Sequence, residues 1–320
     1  MSIVDSPFVT IIILNWNNWQ DTLECLDSVS QLDYPNFKII VFDNGSVNDS
    51  VIKIKENYGS SIILLESPQN LGFAGGNNLS LEYLKELNPD YIFFLNNDTI
   101  IEKNVLSILI EQAVTDPNIG ILTPKIYFYN PNLSHEIIWY GGSKLNLMLG
   151  KTFMVGYRKK NHERYNKISY VDFISGCSML VKADVLDQIG GFDPDYFNIF
   201  EDADFCVRAK QKNYKLLYVP KACVYHKESM SFGSSYSLFS VYFQVRNRLL
   251  FIKKNVKNKW KVIAYFSAFI SIVKKSLLII LNKNTSSLAA IRVAVSDFFK
   301  SSFGTGSIQS FLENKKSSRK

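Results

Sequence analysis

What most constrains this chain is the alternation, through its N-terminal third, of short apolar runs with amphipathic stretches. Val9 to Leu14 and Lys38 to Phe42 read as strands, and Trp19 to Ser30 and Ser50 to Tyr58 as the helices that follow them. Ile62 to Leu65 and Tyr91 to Leu95 are further β-rich runs, with a helical pattern over Asn78 to Leu87 between them. Such runs are the mark of strands buried on both faces, so the pattern predicts an α/β fold with a mostly parallel central sheet and helices on both faces. Ligands of such sheets bind beyond the carboxyl ends of the strands. The segments at those ends are Asn15-Trp16-Asn17, Asp43-Asn44-Gly45-Ser46, Asn70 to Asn78 and Asn96-Asn97-Asp98. All are polar, and the sheet is expected to make them converge.

Farther along, Ile119 to Tyr170 loosens into aromatic and glycine-containing segments such as Trp139-Tyr140-Gly141-Gly142, read as irregular strands and loops facing an acceptor. Phe173 to Val181 reads as a strand, Lys182 to Ile189 as a helix ended by Gly190-Gly191, and Glu201 to Gln211 as a second helix. Tyr214 to Val219 closes as a strand, with His226 shortly after it.

With 320 residues, 47% of them hydrophobic, the chain suits one large domain and an appendage, expected at 1–235 and 236–320. Its four cysteines are far apart and form no CxxC pair, which argues against a disulfide scaffold or structural zinc and fits a reducing, cytoplasmic compartment. No basic residue precedes the first apolar run, Phe8 to Leu14, which is short and strand-like, so a signal peptide is not expected. Residues 246–320 hold 16 Lys and Arg against 2 Asp and Glu, a balance of +14 in a chain of net +7, so the remainder is acidic. A basic tail on an acidic body points to a polyanion, and by charge alone anionic lipid, a lipid diphosphate and nucleic acid all fit. Tyr236 to Asn255 reads as a helix, and Val262 to Leu281 is strongly apolar but interrupted by Lys274 and Lys275, so no clean transmembrane span is expected. Trp260, Tyr265 and Phe266 favour a helix lying in a membrane interface, against the alternative that it packs on the catalytic body.

The chemistry resides in the polar strand ends. Asp98 follows an apolar strand and is the natural oxygen ligand for a hard divalent cation bridging a diphosphate, although Asn and Asp there also make a plain turn. Glu201-Asp202-Ala203-Asp204 places three carboxylates in one helical turn. The helix dipole alone accounts for acids there, yet such crowding also raises a carboxyl towards the range of a general base, and Asp202 is the choice for that role. His226 is positioned to complete a metal site with Asp98, or is simply structural. Asp43, with Asn44 and Ser46, lies where a nucleoside base would accept contacts, a carboxylate there taking the imide N–H of uracil or thymine, while Asn-Gly by itself makes a turn. Trp16 stacks on that base or packs. Asn70 to Asn78 is a glycine-rich loop ahead of a helix, whose backbone N–H groups can approach phosphate. It is not the dinucleotide fingerprint, since the first strand-to-helix turn contains no glycine. A nucleotide-sugar hydrolase, a nucleotidyltransferase or a degenerate nucleotide-binding scaffold would use many of the same parts; the intact acidic cluster argues against the last.

Taken together, five blocks resemble the family 2 glycosyltransferases, in the branch that includes bacterial rhamnosyltransferases of surface-polysaccharide synthesis. They are Val9 to Asn17, Val41 to Ser50, the NxGFxxGNN block Asn70 to Asn78, the metal motif Asn96-Asn97-Asp98 and the segment Gly190 to Arg208. The resemblance covers roughly residues 8–230 and implies a GT-A fold with a C-terminal helical extension. It implies Mn²⁺ or Mg²⁺ held by Asp98 and His226, and catalysis at Asp202 with Glu201 and Asp204 beside it. The donor is expected against Asn15, Trp16, Asp43, Asn44, Ser46, Asn70, Gly72, Gly75, Asn78, Asn97 and Asp98, and Arg208 is expected to brace the acidic helix. The implied activity is inverting transfer of a sugar, rhamnose from dTDP-rhamnose by the branch, to a saccharide acceptor on a polyprenyl diphosphate. The implied setting is the inner face of the cytoplasmic membrane, with the membrane surface and not nucleic acid as partner. One departure stands out: Asp98 is the only carboxylate of the metal motif, where many relatives have a further aspartate.

Overall fold

The computed structural model describes residues 6–130, 136–228, 237–281, 285–308 and 310, and the chain divides into two compact units. The first comprises residues up to Lys144, Phe153–Phe192 and Phe205–Ser229; the second comprises Leu145–Thr152, Asp193–Asp204 and the residues from 230 onward. The expected boundary at 235/236 lies outside the described residues, and the second unit also takes in two segments from the middle of the sequence.

The first unit opens with β1 (Val9–Asn15), α1 (Trp19–Val29), β2 (Phe37–Asn44), α2 (Ser50–Tyr58), β3 (Ile63–Ser67), α3 (Gly72–Leu87) and β4 (Tyr91–Asn96). It continues with β5 (Thr99–Ile101), α4 (Val105–Ala113), β6 (Ile119–Phe128) and β7 (Ile137–Tyr140). Then come the short strands β8 (Ser143–Asn146), β9 (Lys151–Met154), β10 (Lys159–Lys160) and β11 (Ser169–Tyr170), followed by β12 (Ser178–Lys182), α5 (Ala183–Ile189), α6 (Glu201–Gln211) and β13 (Lys215–His226); the first turn of α6 and parts of β8 and β9 belong to the second unit. The main sheet runs β10-β7-β6-β12-β4-β1-β2-β3. Its β3, β2, β1 and β4 are parallel, β12 is antiparallel to both its neighbours, and β13 joins β6 in parallel. Val9, Ile11, Ile12 and Ile13 of β1 have no exposed surface, as expected of a central strand covered on both faces. The chain runs outward from β1 to β3 and returns to β4 on the other side of β1, so the direction of winding reverses at β1 and a crevice opens at the carboxyl ends there. Register levels those ends, pairing Asn15 with Asp43 and Leu14 with Asn96.

In the first unit the structure differs from the sequence expectation in three places. Helix α3 begins at Gly72, not Asn78, because Gly75 and Gly76 lie inside it. Glycines carry no apolar periodicity, which hid the helix. A Cβ on Gly76 would sit 2.6 Å from Leu14 Cδ1, so this glycine lets α3 lie close against the sheet. β6 is a ten-residue strand, with a register shift at Ile126/Tyr127, rather than a loosened segment. Its pattern is broken by Pro124 and Lys125, the latter 1% exposed, with its amine given to Asn161 and Asn166. Finally, β13 runs through to His226, and β12 starts only at Ser178.

In the second unit α7 (Leu238–Asn255), α8 (Asn258–Leu281) and α9 (Thr285–Phe299) bury Val241, Tyr242, Phe243, Ala290 and Ala294 in a shared core. Helix α8 is continuous through Lys274 and Lys275, which corrects the expectation that these lysines exclude a span. By length and composition it is enough to cross a membrane, and 22% of its apolar stretch is buried. Lysine stems are apolar, so the helix tolerates the pair; Lys275 turns its amine to Gln244 Oε1 on α7.

The loop before α6 is strained. Phe197, Ile199 and Phe200 have φ of 63°, 70° and 79°, values that cost a branched or bulky residue about 1–3 kcal/mol each and persist only when over-determined by surroundings. Two fully buried residues of α7 do this. Asn247 Nδ2 lies 2.7 Å from the carbonyls of Tyr196, Asn198 and Ile199, sharing two protons among three acceptors. Arg246 donates to the carbonyls of Asp195, Tyr196 and Gly304. Asn247→Ala is expected to destabilise the protein by about 2–4 kcal/mol, read as a lowered urea midpoint, because strained carbonyls lose their donor.

Candidate functional site

In the first unit a hydrogen-bonded chain joins the ends of β1, β2 and β4. Asn97 Nδ2 donates to Thr22 Oγ1 at 2.9 Å, Thr22 Oγ1 to Asn15 Oδ1 at 2.8 Å, and Asn15 Nδ2 to Asp43 Oδ2 at 2.7 Å. Ser46 closes on the same carboxylate through its hydroxyl (2.7 Å) and its backbone N–H (2.9 Å). Its Oγ also accepts from Asn17 N–H at 2.8 Å, tying the two loops together. Asp43 is 2% exposed, and three of its roughly four acceptor positions are used by these bonds, leaving one for a ligand N–H. Gly45 permits the turn: its φ is +74°, and a Cβ would lie 2.4 Å from Gln69 C.

Several residues expected to touch the donor have their side-chain amides engaged with the surrounding loops. Asn15 and Asn97 commit their amides to the chain just described. Asn44 donates to Asn70 Oδ1 and to the Gly72 carbonyl and accepts from Leu71 N–H, so its amide folds the β3–α3 loop. Asn70 Oδ1 also takes the Gly72 N–H, which is therefore not offered to phosphate. Gly75 lies within α3, 2.8 Å from Leu71 Cβ measured from where its own Cβ would be. Asn78 clamps Phe192, donating to its carbonyl at 2.7 Å and accepting its N–H at 2.8 Å. Buried amides must find partners, and neighbouring backbone supplies them. Trp16 is half-buried beside this cluster at the β1–α1 turn.

Asp98 and His226 are brought together by the antiparallel pairing of β5 with β13, which sets His226 opposite Thr99. His226 Nε2 lies 3.1 Å from Asp98 Oδ1, each side chain 8% exposed, and the indole of Trp139 packs edge-on against the imidazole, ring centres 4.6 Å apart. Burial opposes charge on His226, but the adjacent Cys177 sulfur and Asp98 carboxylate outweigh it and hold the ring protonated well above the usual histidine range. Among the described residues no three His, Cys, Asp or Glu side chains group around one point, so the pair offers two protein ligands.

In the second unit the three carboxylates of the first turn of α6 have separate environments. Asp204 is 2% exposed and accepts from Asn255 Nδ2 at 2.7 Å and Tyr196 OH at 3.2 Å. Glu201 is 5% exposed, and its Oε2 has no hydrogen-bond partner among the described residues. Burial first, then the charges of Asp202 and Asp204, push its carboxyl well above the ordinary range. Asp202 is half-buried, and its Oδ1 accepts the Ala203 N–H at 2.7 Å. Arg208, farther along α6 and within the first unit, donates to the carbonyls of Ile189 and Gly191, tying α6 to the end of α5.

Residues 6–249 match the family described as glycosyltransferase like family 2. The chain belongs to that family. Over 246 residues this family 2 glycosyltransferase is 28% identical to rhamnosyltransferase WbbL of Escherichia coli K12, covering 74% of this chain and 88% of that one. It is 26% identical to a low-salt glycan biosynthesis hexosyltransferase of Haloferax volcanii, covering 76% and 74%. Among solved structures it resembles the mannosyltransferase PcManGT of Pyrobaculum calidifontis in complex with GDP-Man and Mn²⁺, with a TM-score of 0.56, 14% identity and coverage of 98% and 81%. A likeness to GalNAc-T7 with UDP, GalNAc and Mn²⁺ has a TM-score of 0.61 and 16% identity, covering 82% of this chain and 50% of the other. These likenesses show the expected GT-A fold.

Two supports of the glycosyltransferase were not singled out in the sequence. Thr22 looked like an ordinary helix residue; its signal was a hydroxyl in the first turn after a polar strand end. Arg246 and Asn247 announced themselves only as a polar pair inside an apolar helix.

Glu201 carries a pH prediction. Its folded-state carboxyl titrates above the unfolded value, so the stability linked to its protonated form is complete below the unfolded pKa and is lost as pH rises towards the folded one. Glu201→Gln keeps the shape and removes the charge. It is expected to match the parent's stability in acid and to exceed it at alkaline pH by about 1–3 kcal/mol, the cost of a buried charged carboxylate without a partner. Melting curves that stay parallel across pH would remove the buried-acid assignment.

Proposed function

We propose that the enzyme is a metal-dependent, inverting glycosyltransferase that moves a sugar from a nucleoside diphosphate donor to a saccharide carried on a polyprenyl diphosphate. The observation that carries this is the meeting of Asp98 and His226 at 3.1 Å beside strand ends that also present Asp43. A buried carboxylate next to an imidazole fits a divalent cation that takes its remaining ligands from the donor diphosphate. When bound, such an ion supplies positive charge against the departing nucleoside diphosphate.

The chain's own residues do the rest. Asp43, oriented by Asn15 and Ser46, accepts the imide N–H of the base at its remaining acceptor position, and Trp16 supplies an apolar surface for the ring. Asp202 is the general base that takes the proton of the acceptor hydroxyl as that oxygen attacks the anomeric carbon. Burial separates it from its neighbours: the Glu201 carboxyl is pushed well above the ordinary range, Asp204 is held by Asn255 and Tyr196, and Asp202 alone of the three is partly exposed. Rhamnose from dTDP-rhamnose is the preferred donor, supported by the likeness to a rhamnosyltransferase. Work at the cytoplasmic membrane surface is supported by the basic, apolar α8.

The test is a screen of dTDP-, UDP- and GDP-sugars with Mn²⁺, Mg²⁺ or EDTA in membrane extract, following free nucleoside diphosphate and label entering lipid. NMR of the product reads the anomeric configuration. Metal-dependent release with an inverted linkage supports the reading; sugar found only on water, or pyrophosphate release, replaces it with hydrolysis or nucleotidyl transfer.

A further inference from the structure

A cleft of about 400 Å³, within the size range of small-molecule sites, is lined by residues of the second unit alone, and none of the roles above uses it. Helix α8 contributes Ser271 and Lys275, four residues apart and so on one face, and α7 contributes Gln244 and Arg248 with the same spacing. The turn between β8 and β9 supplies a further wall. Gly150 in that turn has a φ of +56°, and a Cβ on it would lie 2.5 Å from Ile252 Cγ1. Glycine therefore lets the turn lie against α7, which brings Lys151 and Thr152 to the cleft.

The lining carries three cations, Lys151, Arg248 and Lys275, and no acidic side chain. Among the described residues none of the three pairs with a carboxylate. Neutral groups fix two of them in place. Arg248 donates its Nε–H to the Gly150 carbonyl and its Nη2 to the Leu149 carbonyl and Ser267 Oγ, each at 3.0 Å. Both N–H groups of Nη1 are left without an acceptor among the described residues. Lys275 gives one of its three N–H groups to Gln244 Oε1. Burial disfavours the charge on Arg248 and on Lys275, and an anion in the cleft would offset that cost and take the unused donors.

The number of cations narrows the anion. A single carboxylate would answer one of the three, whereas a phosphate ester carries close to two charges on three strong acceptor oxygens and pairs bidentately with a guanidinium. The rest of the cleft is bordered by the ring of Phe200, the hydroxyls of Thr152 and Ser271 and the amide of Gln244. An aromatic face among hydroxyl and amide groups suits a sugar ring, which is apolar across its face and polar around its edge. We propose that this cleft is a binding site for a phosphorylated sugar, its phosphate or diphosphate held by Lys151, Arg248 and Lys275 and its ring set against Phe200. None of these residues belongs to the donor set of the first unit. Two sources offer the same chemistry: a free sugar phosphate, or the phosphorylated end of the saccharide acceptor.

Calorimetry of the full chain in EDTA, with glucose 1-phosphate, inorganic phosphate and glucose as probes, tests the site without turnover. Glucose 1-phosphate is expected to bind more tightly than inorganic phosphate, and glucose not to bind measurably. Lys151→Glu, at a side chain that makes no hydrogen bond or ion pair among the described residues, and Lys275→Gln should each weaken glucose 1-phosphate binding by about tenfold, the scale of one charge-assisted hydrogen bond. Melting temperatures check that both variants fold. Affinity unchanged in both variants overturns the site, and inorganic phosphate binding as tightly as glucose 1-phosphate overturns its sugar part. Transfer kinetics then separate the sources, either of which supports the site. If the ligand is the acceptor's own phosphorylated end, added glucose 1-phosphate raises the acceptor KM, and Lys151→Glu raises it without altering donor affinity. If the ligand is a free sugar phosphate, adding it changes kcat in the parent but not in Lys151→Glu, and the acceptor KM stays as it was. Calorimetric binding in a parent chain that transfers no sugar would count against the reaction proposed above and leave the site standing.

Discussion

Asp202→Asn is expected to turn over about a thousandfold more slowly than the parent enzyme while binding its nucleotide donor with unchanged affinity. General-base catalysis contributes about 10²- to 10⁴-fold, and an amide of the same shape cannot take the acceptor proton. The carboxylate accepts the neighbouring Ala203 N–H, a bond that an amide oxygen can also accept. Donor affinity by calorimetry and single-turnover transfer together read the result. Glu201→Gln should retain far more activity, since burial and its two acidic neighbours already favour the uncharged form of that carboxyl. If Asp202→Asn keeps parental turnover, the base is not Asp202, and the difference in burial among the three acids has been misread.

Asp98→Ala is the second large effect. It removes one of the two proposed ligands, and transfer in saturating Mn²⁺ is expected to fall by at least about a hundredfold. His226→Ala should fall by a similar factor, and the double variant little further than either single one, because two residues acting on one ion are not additive. The same pair gives a pH dependence. The metal-free imidazole holds its proton well above the usual range, and a cation binding at Nε2 must displace it, so apparent metal affinity should rise with pH across that range and the rise should vanish in His226→Ala. Metal titrations at several pH values check this. Additive losses, or affinity indifferent to pH, would indicate that the two side chains form a structural ion pair only.

Much of the architecture was legible from local pattern. Val9 to Leu14, Lys38 to Phe42 and Tyr91 to Leu95 announce buried strands because their residues are apolar without alternation, and the structure places β1, β2 and β4 there. Helix α3 was recognised only from Asn78 because its first turns are glycine and asparagine, which carry no periodic signal. In the sequence Lys274 and Lys275 interrupt the apolar run from Val262 to Leu281; in the fold Lys275 finds a partner on α7 and α8 runs on through both.

At the site, sequence determined which residue types stand at the strand ends: Asn15, Asp43, Asn97 and Asp98, and the acidic turn at Glu201, Asp202 and Asp204. Those follow from local rules, since a strand end and a helix start are set within a few residues. Only the tertiary structure decided their work. Asn15, Asn44, Asn78 and Asn97 read alike in sequence, and only the fold shows which neighbouring groups their amides bind. Asp98 meets His226 because β5 pairs with β13 in one register, a long-range choice with no local sequence signature. The three acids of α6 are chemically alike in sequence and differ in the fold because ionisation depends on what surrounds a carboxyl: apolar burial for Glu201, donors for Asp204, partial exposure for Asp202.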